Sequence, residues 1–303
     1  MSRTTHLAAL AATTALALAA CGSGDPLEEG TGSTSAKPGS IVVGSQDYYS
    51  NEIIAELYAQ ALEGAGKQVD RQLRIGQREV YLPEIEAGTI DLFPEYTGPL
   101  LQYWKPDTKA RLADDVAAEL TKATPAGLRV LTQSPATDQD SYVVTRAFAD
   151  KWGLRTIADL AKVDGPLTLG ANSEAEQRPN GPKGLKRAYG VDATFSPIED
   201  GGGPLTVKAL KDGDIQLAII YTADPSIKAN DLVSLEDTKG LFLASHVVPL
   251  ASDNIDDDAE KVVDEVSAAL TPEDLVALNA RSVDEELPAA QIAKEWLAEH
   301  DLG

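Results

Sequence analysis

The sequence predicts an α/β protein with two lobes. Short apolar runs alternate with segments of helical periodicity from Ile41 onward, and the same alternation starts again near residue 142. A length of 303 residues is also enough for two cores. Strands separated by helices of this length favour βαβ units and mixed, mostly parallel sheets with helices on both faces.

The first half of the chain begins its pattern with an apolar strand at Ile41–Val43, which ends at Gly44. Ser50 is a candidate N-cap for a helix whose apolar positions between Ile53 and Leu62 recur at helical spacing. The pattern predicts further strands at 69–73, 90–93 and 128–132, and helices at 79–87 and 110–123.

The second half repeats this pattern and ends in helices. It predicts strands at 142–145, 167–170, around 195, 215–221 and 232–235, helices at 156–160, 184–189 and 204–211, an apolar segment at 247–250, and helices at 259–270, 272–280 and 289–300. Ligands of such sheets bind beyond the carboxyl ends of strands and between domains, so we expect a site there.

The N-terminal residues indicate export. Arg3 precedes an alanine-rich apolar segment at 7–20 that is short for a membrane span, and small residues lead directly to Cys21. We therefore predict a lipoprotein signal peptide at 1–20, lipidation of Cys21, and a Gly- and Ser-rich flexible tether at 21–40. The expected location is the extracytoplasmic face of the cell membrane, through the lipid anchor.

The composition excludes several classes of protein. The net charge is −22, from 48 acidic and 26 basic residues, which argues against a nucleic-acid partner because phosphates need a basic face. A single cysteine cannot form an internal disulfide or a thiolate cluster. We predict no metal and no cofactor, and we expect a monomer.

Signals for catalysis are weak. His246 is the histidine on which a Ser-His-Asp arrangement would depend, the acidic run at 253–258 departs from a calcium loop at two positions, and the glycines at 201–203 lack the Gly-Lys-Ser/Thr of a phosphate loop. We interpret His246 as a polar residue at a crossover, the acidic run as the start of a helix, and the three glycines as a turn with a helix start. The 48 acids always supply carboxylate pairs, so a secreted carboxylate-dependent hydrolase stays open as an alternative.

Aromatic residues fall at the ends of predicted strands, although they make up only 5% of the chain. They are Tyr48, Phe93, Tyr96, Tyr142 and Tyr221. Loops at strand ends carry binding groups, and tyrosine rings attract a cation through their faces. Their joint placement predicts a site for a cationic ligand.

Several ordered motifs resemble one family. Ile41–Ser45 with the following helix, the stretch EAGTIDLFPEYTG at 86–98, RPNG at 178–181 and IKANDL at 227–232 look like the ProX-like or OpuAC/OpuCC-like binding proteins of osmoprotectant ABC importers, which take up glycine betaine, choline and carnitine. The resemblance covers nearly the whole chain from Ile41.

The resemblance implies a type II periplasmic-binding-protein fold with two hinge crossovers. Lobe 1 would be 41–141 plus 246–303, and lobe 2 would be 142–245. The resemblance makes Tyr96, Tyr142 and Tyr221 candidates for an aromatic box around a quaternary ammonium, and Arg178 a clamp for a carboxylate. Further ligand-binding candidates are Gln46, Tyr48, Thr97, Thr222 and Ser245.

Three positions depart from the family pattern. Gln46 stands where lysine is common, Pro99 where a threonine is usual, and Ser245 where a cage tyrosine is expected.

From the resemblance as a whole we expect a solute-binding component, not an enzyme, that binds a small betaine-like ligand and delivers it to an ABC permease and its ATPase. The alternative is the same scaffold with a larger neutral, polyphenolic or polyol ligand.

Overall fold

The computed structural model describes residues 39–303. The predicted signal peptide, Cys21 and all but the end of the tether lie outside the described residues. No helix within residues 39–303 combines the length and apolarity that a membrane span requires.

Ten strands and eleven α-helices make up this part of the chain. The strands are β1 (Ile41–Gly44), β2 (Val69–Gln72), β3 (Leu92–Tyr96), β4 (Leu128–Val130), β5 (Asp140–Thr145), β6 (Thr168–Ala171), β7 (Thr194–Pro197), β8 (Leu217–Tyr221), β9 (Leu232–Ser234) and β10 (Val247–Ser252). The helices are α1 (Tyr49–Gly64), α2 (Arg78–Glu86), α3 (Thr97–Trp104), α4 (Ala113–Ala123), α5 (Arg146–Trp152), α6 (Pro182–Tyr189), α7 (Pro204–Asp212), α8 (Ser226–Ala229), α9 (Asp257–Ala269), α10 (Pro272–Asp284) and α11 (Ala289–Glu299).

The strands form two five-stranded mixed sheets, with orders β2-β1-β3-β10-β4 and β7-β6-β8-β5-β9. We call them the first and the second sheet. The predicted α/β class is confirmed. Each sheet has two parallel and two antiparallel pairings, so the parallel share is half and not most. The antiparallel strands β5 and β10 are the ones by which the chain passes from one sheet to the other.

Each sheet is covered on both faces, because its strands alternate between two apolar clusters. In β1, Val43 packs with α1, α9 and α11, whereas Val42 packs with α2, α3 and α4. In β5, Tyr142 and Val144 share one cluster and Val143 belongs to another. This alternation has the period of two that a strand requires.

The sequence pattern does not predict the helices α3, α5 and α8. α3 follows β3 directly and carries Gly98 and Pro99, which are poor helix formers but are tolerated in a first turn where the N–H groups need no helical partner. α5 begins at a Thr145 cap, whose hydroxyl accepts a hydrogen bond from Phe148 N. The predicted helix at 156–160 is a 3-10 helix at Ile157–Lys162.

The crossing strands begin where tyrosine-bearing strands end. Val247 of β10 pairs with Tyr96 of β3, and Asp140 of β5 pairs with Tyr221 of β8. β10 and β5 enter their sheets beside the ends of β3 and β8. They therefore run in the opposite direction to those strands and pair with them antiparallel. The carboxyl ends of β3 and β8 therefore lie beside both crossovers.

Candidate functional site

A cluster of tyrosine rings joins the two sheets. Tyr48 follows β1 and precedes α1, and its ring centroid lies 4.5 Å from that of Tyr221, at the end of β8. Tyr49 packs edge-on against Tyr48 at 4.7 Å. Tyr96 is close enough to influence the pKa of Tyr48, and Tyr221 that of Tyr96. We call Tyr48, Tyr49, Tyr96 and Tyr221 the tyrosine cluster.

Buried polar atoms at this cluster lack partners within residues 39–303. They are Tyr48 OH, Tyr96 OH and Asp138 Oδ2, together with Nε2 of Gln46, which precedes Tyr48 by two residues. Buried polar groups are nearly always hydrogen-bonded, and each one left without a partner costs about 1–3 kcal/mol. Such atoms beside the tyrosine cluster indicate a surface made to meet a polar or charged ligand.

Asp138 is the carboxylate of this site, and sequence reasoning missed it. The residue is 2% exposed, and its Oδ1 accepts a hydrogen bond of 3.0 Å from Ala223 N. Burial, followed by the charges of Asp224 and Asp140, raises the pKa of Asp138 to about 8, against the opposing effect of the Ala223 hydrogen bond. Its position between β4 and β5, at the expected crossover, was the available signal.

The charge of Asp138 acts on the rings around it. Burial first, and Asp138 second, raise the pKa of both Tyr48 and Tyr96 well above the usual tyrosine value. Both rings therefore stay neutral at any physiological pH. Neutral rings and a buried carboxylate together form surroundings that attract a cation.

A buried ion pair positions Tyr96. Glu95 accepts two hydrogen bonds from Arg78, at 2.8 and 3.0 Å, and one of 2.7 Å from Tyr81 OH. The same carboxylate accepts the backbone N–H of Tyr96 at 2.7 Å. Because Glu95 is fully buried, removal of one partner would leave an uncompensated charge. Sequence reasoning missed this pair, which joins residues 17 positions apart.

Arg178 is engaged by the protein itself. Its Nε and Nη2 lie 3.0 and 2.8 Å from the two carboxylate oxygens of Glu79, and Nη2 also lies 3.2 Å from Gln77 Oε1. The predicted clamp for a ligand carboxylate thus holds a carboxylate of α2 in this conformation. A ligand carboxylate would have to displace Glu79.

Tyr142 is not part of the tyrosine cluster. Its hydroxyl donates a hydrogen bond of 2.6 Å to Asn180 O, and its ring packs edge-on against Phe242 at 4.9 Å. The side chain is fully buried in a core of the second sheet. The structure therefore does not bring it to Tyr48, Tyr96 and Tyr221.

The remaining predicted polar residues tie the crossovers together. Ser245 Oγ donates to the backbone O of Asp138 at 2.8 Å, and Thr97 Oγ1 accepts the N–H of His246 at 3.0 Å. Thr222 Oγ1 accepts the N–H of Gln139 at 3.0 Å. These hydroxyls hold the segments on which Asp138 and the strand ends lie. Gln46 stands apart from them, since its N–H binds Asn51 Oδ1 at 2.9 Å and its amide nitrogen is unpartnered within the described chain.

Gly98 allows the close approach of one crossover. A Cβ at this position would lie 2.7 Å from Ala244 O and 2.9 Å from Leu243 O. A side chain would therefore push the 243–246 segment away from α3. This contact gives a physical reason for glycine at the end of the Pro-Glu-Tyr-Thr-Gly motif.

The cleft beside the cluster is closed in this conformation. A cavity of about 20 Å³ remains among residues that include Gln77, Asp140, Arg178 and Tyr221. A cavity of about 560 Å³ opens next to Tyr49, between α7 and the 282–283 segment of α10. Entry of a ligand between the tyrosine rings requires the two sheets to separate.

Nearly all of the described chain matches one family. Residues 39–299 match the OpuAC family, described as the substrate binding domain of ABC-type glycine betaine transport system. The chain belongs to the OpuAC family. The predicted family is thus confirmed.

The relatives of this OpuAC chain are distant. Glycine betaine-binding protein YehZ of Escherichia coli (strain K12) is 24% identical over 273 residues, which are 85% of this chain and 89% of that protein. Carnitine transport binding protein OpuCC of Listeria monocytogenes serotype 1/2a (strain 10403S) is 26% identical over 165 residues, which are 53% of each protein. A crystal structure of a glycine betaine/carnitine/choline ABC transporter matches with a TM-score of 0.69 and 20% identity, over 86% of this chain and 99% of that one. That likeness confirms the predicted two-lobed binding-protein fold.

Membership of the OpuAC family gives the role of the chain. The chain is the extracytoplasmic solute-binding component of an ABC importer and cooperates with a permease, as predicted. The family consists of binding proteins and not of enzymes, so the hydrolase alternative is excluded. His246, which that alternative needed, has Nδ1 2.9 Å from Ser134 O at the crossover.

Proposed function

We propose that this OpuAC-family chain binds a quaternary-ammonium osmoprotectant, such as glycine betaine or choline, between its lobes. One observation carries the proposal: Tyr48 follows β1 of the first sheet and Tyr221 ends β8 of the second, yet their rings lie 4.5 Å apart. A cation between such rings would interact with both lobes at once and favour closure. The printed functions of YehZ and OpuCC support the same ligand class.

The proposed lobes are 41–141 plus 246–303 and 142–245. The distribution of strands supports this division, with β5 beginning at Asp140 rather than at 142. In this arrangement the ligand contacts Tyr48, Tyr96 and Tyr221, and the crossovers are the hinges. The role of Arg178 as a carboxylate clamp stays a prediction that competes with its pairing to Glu79.

The attachment to the membrane is also a proposal. A lipid on Cys21 and a flexible segment of about 20 residues would keep the lobes within reach of a membrane permease. The short apolar segment before Cys21 supports it. A monomeric receptor fits this role, since each lobe pair encloses its own ligand.

Titration calorimetry of the purified full chain tests the ligand class. Glycine betaine, choline and carnitine are titrated separately, with tetraethylammonium as a larger cation and glycerol as a neutral control. We expect saturable binding of at least one of the first three and none of glycerol. A protein that binds none of the quaternary ammonium compounds would overturn the proposal.

A larger neutral ligand is the second candidate. The cavity of about 560 Å³ beside Tyr49 supports it, because drug-sized ligands occupy about 300–1,000 Å³. Apolar lining from Pro204, Val207 and Val283 suits a polyphenol. Thermal stabilisation by a polyphenol such as phloretin, without stabilisation by any ammonium compound, would favour this candidate over the first.

A further inference from the structure

The charges around the tyrosine cluster do not balance. Glu95 neutralises Arg78, and Glu79 neutralises Arg178. The charges that act on Asp138 come from Asp224 and Asp140, and both are acidic. When Asp138 is ionised, its charge is therefore not offset by a basic residue among the groups that act on its carboxyl.

The hydrogen bonds of these acids differ. Asp224 accepts Tyr49 OH at 2.9 Å and Ser226 N at 2.8 Å, so each of its oxygens has a donor. Asp140 accepts Asn180 Nδ2 at 2.9 Å. Asp138 has a buried Oδ2 without a partner inside residues 39–303, and this is the carboxylate oxygen at the cluster that a ligand can still satisfy.

We propose that Asp138 makes the site selective for quaternary-ammonium ligands with a net positive charge, such as choline, over zwitterions such as glycine betaine. This inference rests on the proposed function and names the charge class of its ligand. The tyrosine rings attract the trimethylammonium group that both ligands share, so the rings alone do not discriminate between them. The carboxylate discriminates, because a net cation neutralises it and a zwitterion brings a second anion beside it.

A zwitterion meets a further cost at this site. Its carboxylate would need Arg178 or Arg78, and both guanidiniums already hold two oxygens of a glutamate. To release either arginine would leave Glu79 or the fully buried Glu95 without its partner. A ligand that carries an alcohol in place of the carboxylate avoids this exchange.

Proton binding follows from the same geometry. With the pKa of Asp138 raised to about 8, its carboxyl holds a proton at neutral pH in the closed conformation. A bound cation displaces that proton, so choline affinity should rise with pH up to about pH 8 and then level off. The groups facing Asp138 are Asp224, Asp140 and the hydroxyls of Tyr48, Tyr49, Tyr96 and Tyr221. His246 pairs with Thr137 at the same crossover and is unchanged in Asp138→Asn, so that variant isolates the contribution of the carboxyl.

The test is calorimetry of the full chain with choline and glycine betaine at pH 6 and pH 8. For the wild type we expect tighter binding of choline than of glycine betaine at pH 8, and about fivefold or more loss of choline affinity at pH 6. Asp138→Asn should weaken choline about thirtyfold or more and abolish this pH dependence. Asp138→Glu keeps the charge and should keep most of the preference for choline.

Asp91→Asn is the matched control. Asp91 is also buried, but it accepts Val42 N, Ser252 Oγ and Asn254 Nδ2 at the opposite end of β3 from Tyr96. This variant should melt at a lower temperature and keep the wild-type ratio of choline to glycine betaine affinity. It thus separates lost stability from lost recognition.

The outcomes distinguish this inference from the proposed function. Binding of glycine betaine tighter than choline, with a ratio that Asp138→Asn leaves unchanged, would overturn the charge selection and leave the quaternary-ammonium function intact. Binding of neither ligand by the wild type would overturn both. If Asp138→Asn does not fold, the pH dependence of the wild type decides, since equal choline affinity at pH 6 and pH 8 contradicts a proton-linked carboxylate.

Discussion

Arg178 holds Glu79 by two hydrogen bonds that connect the two sheets, with Nε 3.0 Å from Oε1 and Nη2 2.8 Å from Oε2. Arg178 precedes α6, which packs on the second sheet, whereas Glu79 lies on α2, which packs on the first. The pair therefore stabilises the closed arrangement. Glu79 thereby occupies the Arg178 guanidinium, which was expected to bind a ligand carboxylate.

Arg178→Ala should weaken choline and glycine betaine by the same factor, about fivefold, measured by titration calorimetry. A partly exposed ion pair contributes about 1 kcal/mol, and its loss disfavours the closed form whichever ligand is bound. Arg187→Ala, a change at an exposed arginine of α6, should leave both affinities unchanged. Loss of glycine betaine binding alone would instead establish Arg178 as a carboxylate clamp.

Tyr221→Ala should weaken quaternary-ammonium binding about two- to thirtyfold, because one ring contributes about 0.5 to 2 kcal/mol of cation–π attraction. Tyr48→Ala should have an effect of similar size, since its ring lies against that of Tyr221. Tyr103→Ala, at an exposed ring of α3, serves as the control in the same calorimetric series. Unchanged affinity in both cluster variants would refute the cage.

Tyr142→Phe and Tyr96→Phe should affect stability in different ways. Tyr142→Phe removes the 2.6 Å hydrogen bond to Asn180 O and should lower the free energy of unfolding by about 1–3 kcal/mol. Tyr96→Phe removes a buried hydroxyl that faces Asn51 without a hydrogen bond of standard geometry in the described chain, so it should cost less than Tyr142→Phe. Urea unfolding of the ligand-free proteins measures both, and a larger loss for Tyr96→Phe would contradict the structure.

The melting temperature of the ligand-free protein should fall as the pH rises from 5 to 8. Asp138 has a pKa of about 8 when folded and about 3.9 when unfolded, so the folded state binds the extra proton. The stability from that proton is complete below about pH 4 and is lost as the pH rises through 8. Calorimetry of Asp138→Asn should show a flatter profile over this window, and parallel profiles would contradict the raised pKa.

Cys21→Ser should move the protein from the membrane fraction to the medium, because a tether without acyl chains has no affinity for a bilayer. Immunoblots of cell fractions would measure the distribution. Ser33→Ala, a neutral change within the predicted tether, should leave the protein with the membranes. Retention of Cys21→Ser at the membrane would exclude the lipoprotein hypothesis.

The fold was accessible from sequence because its signals are local. Short apolar runs between segments of helical periodicity placed most strands, and the motif from Glu86 to Gly98 identified the family. The face of a strand was harder to predict: Tyr142 points with Val144 into a core, and nothing in the residue itself indicates which face meets the ligand. The pairing of Arg178 with Glu79 joins positions 99 apart, a separation at which sequence patterns carry no information.

Asp138 was hidden for a different reason. The chain has 48 acidic residues, and residue type does not distinguish a buried carboxylate from one on the surface. Burial distinguishes it, and burial at a crossover depends on how both lobes meet. The candidate site was therefore predictable in its aromatic part and not in its charges.

The ring contact between Tyr48 and Tyr221 also has a kinetic consequence. A ligand held by rings from both sheets leaves only after the sheets separate, so its residence time is set by the rate of opening and not by the ring contacts alone. Changes at the crossovers, such as a side chain at Gly98 pressing on Ala244 O, would then alter how long a ligand stays without touching it. The dissociation rate constant becomes a property of the hinge.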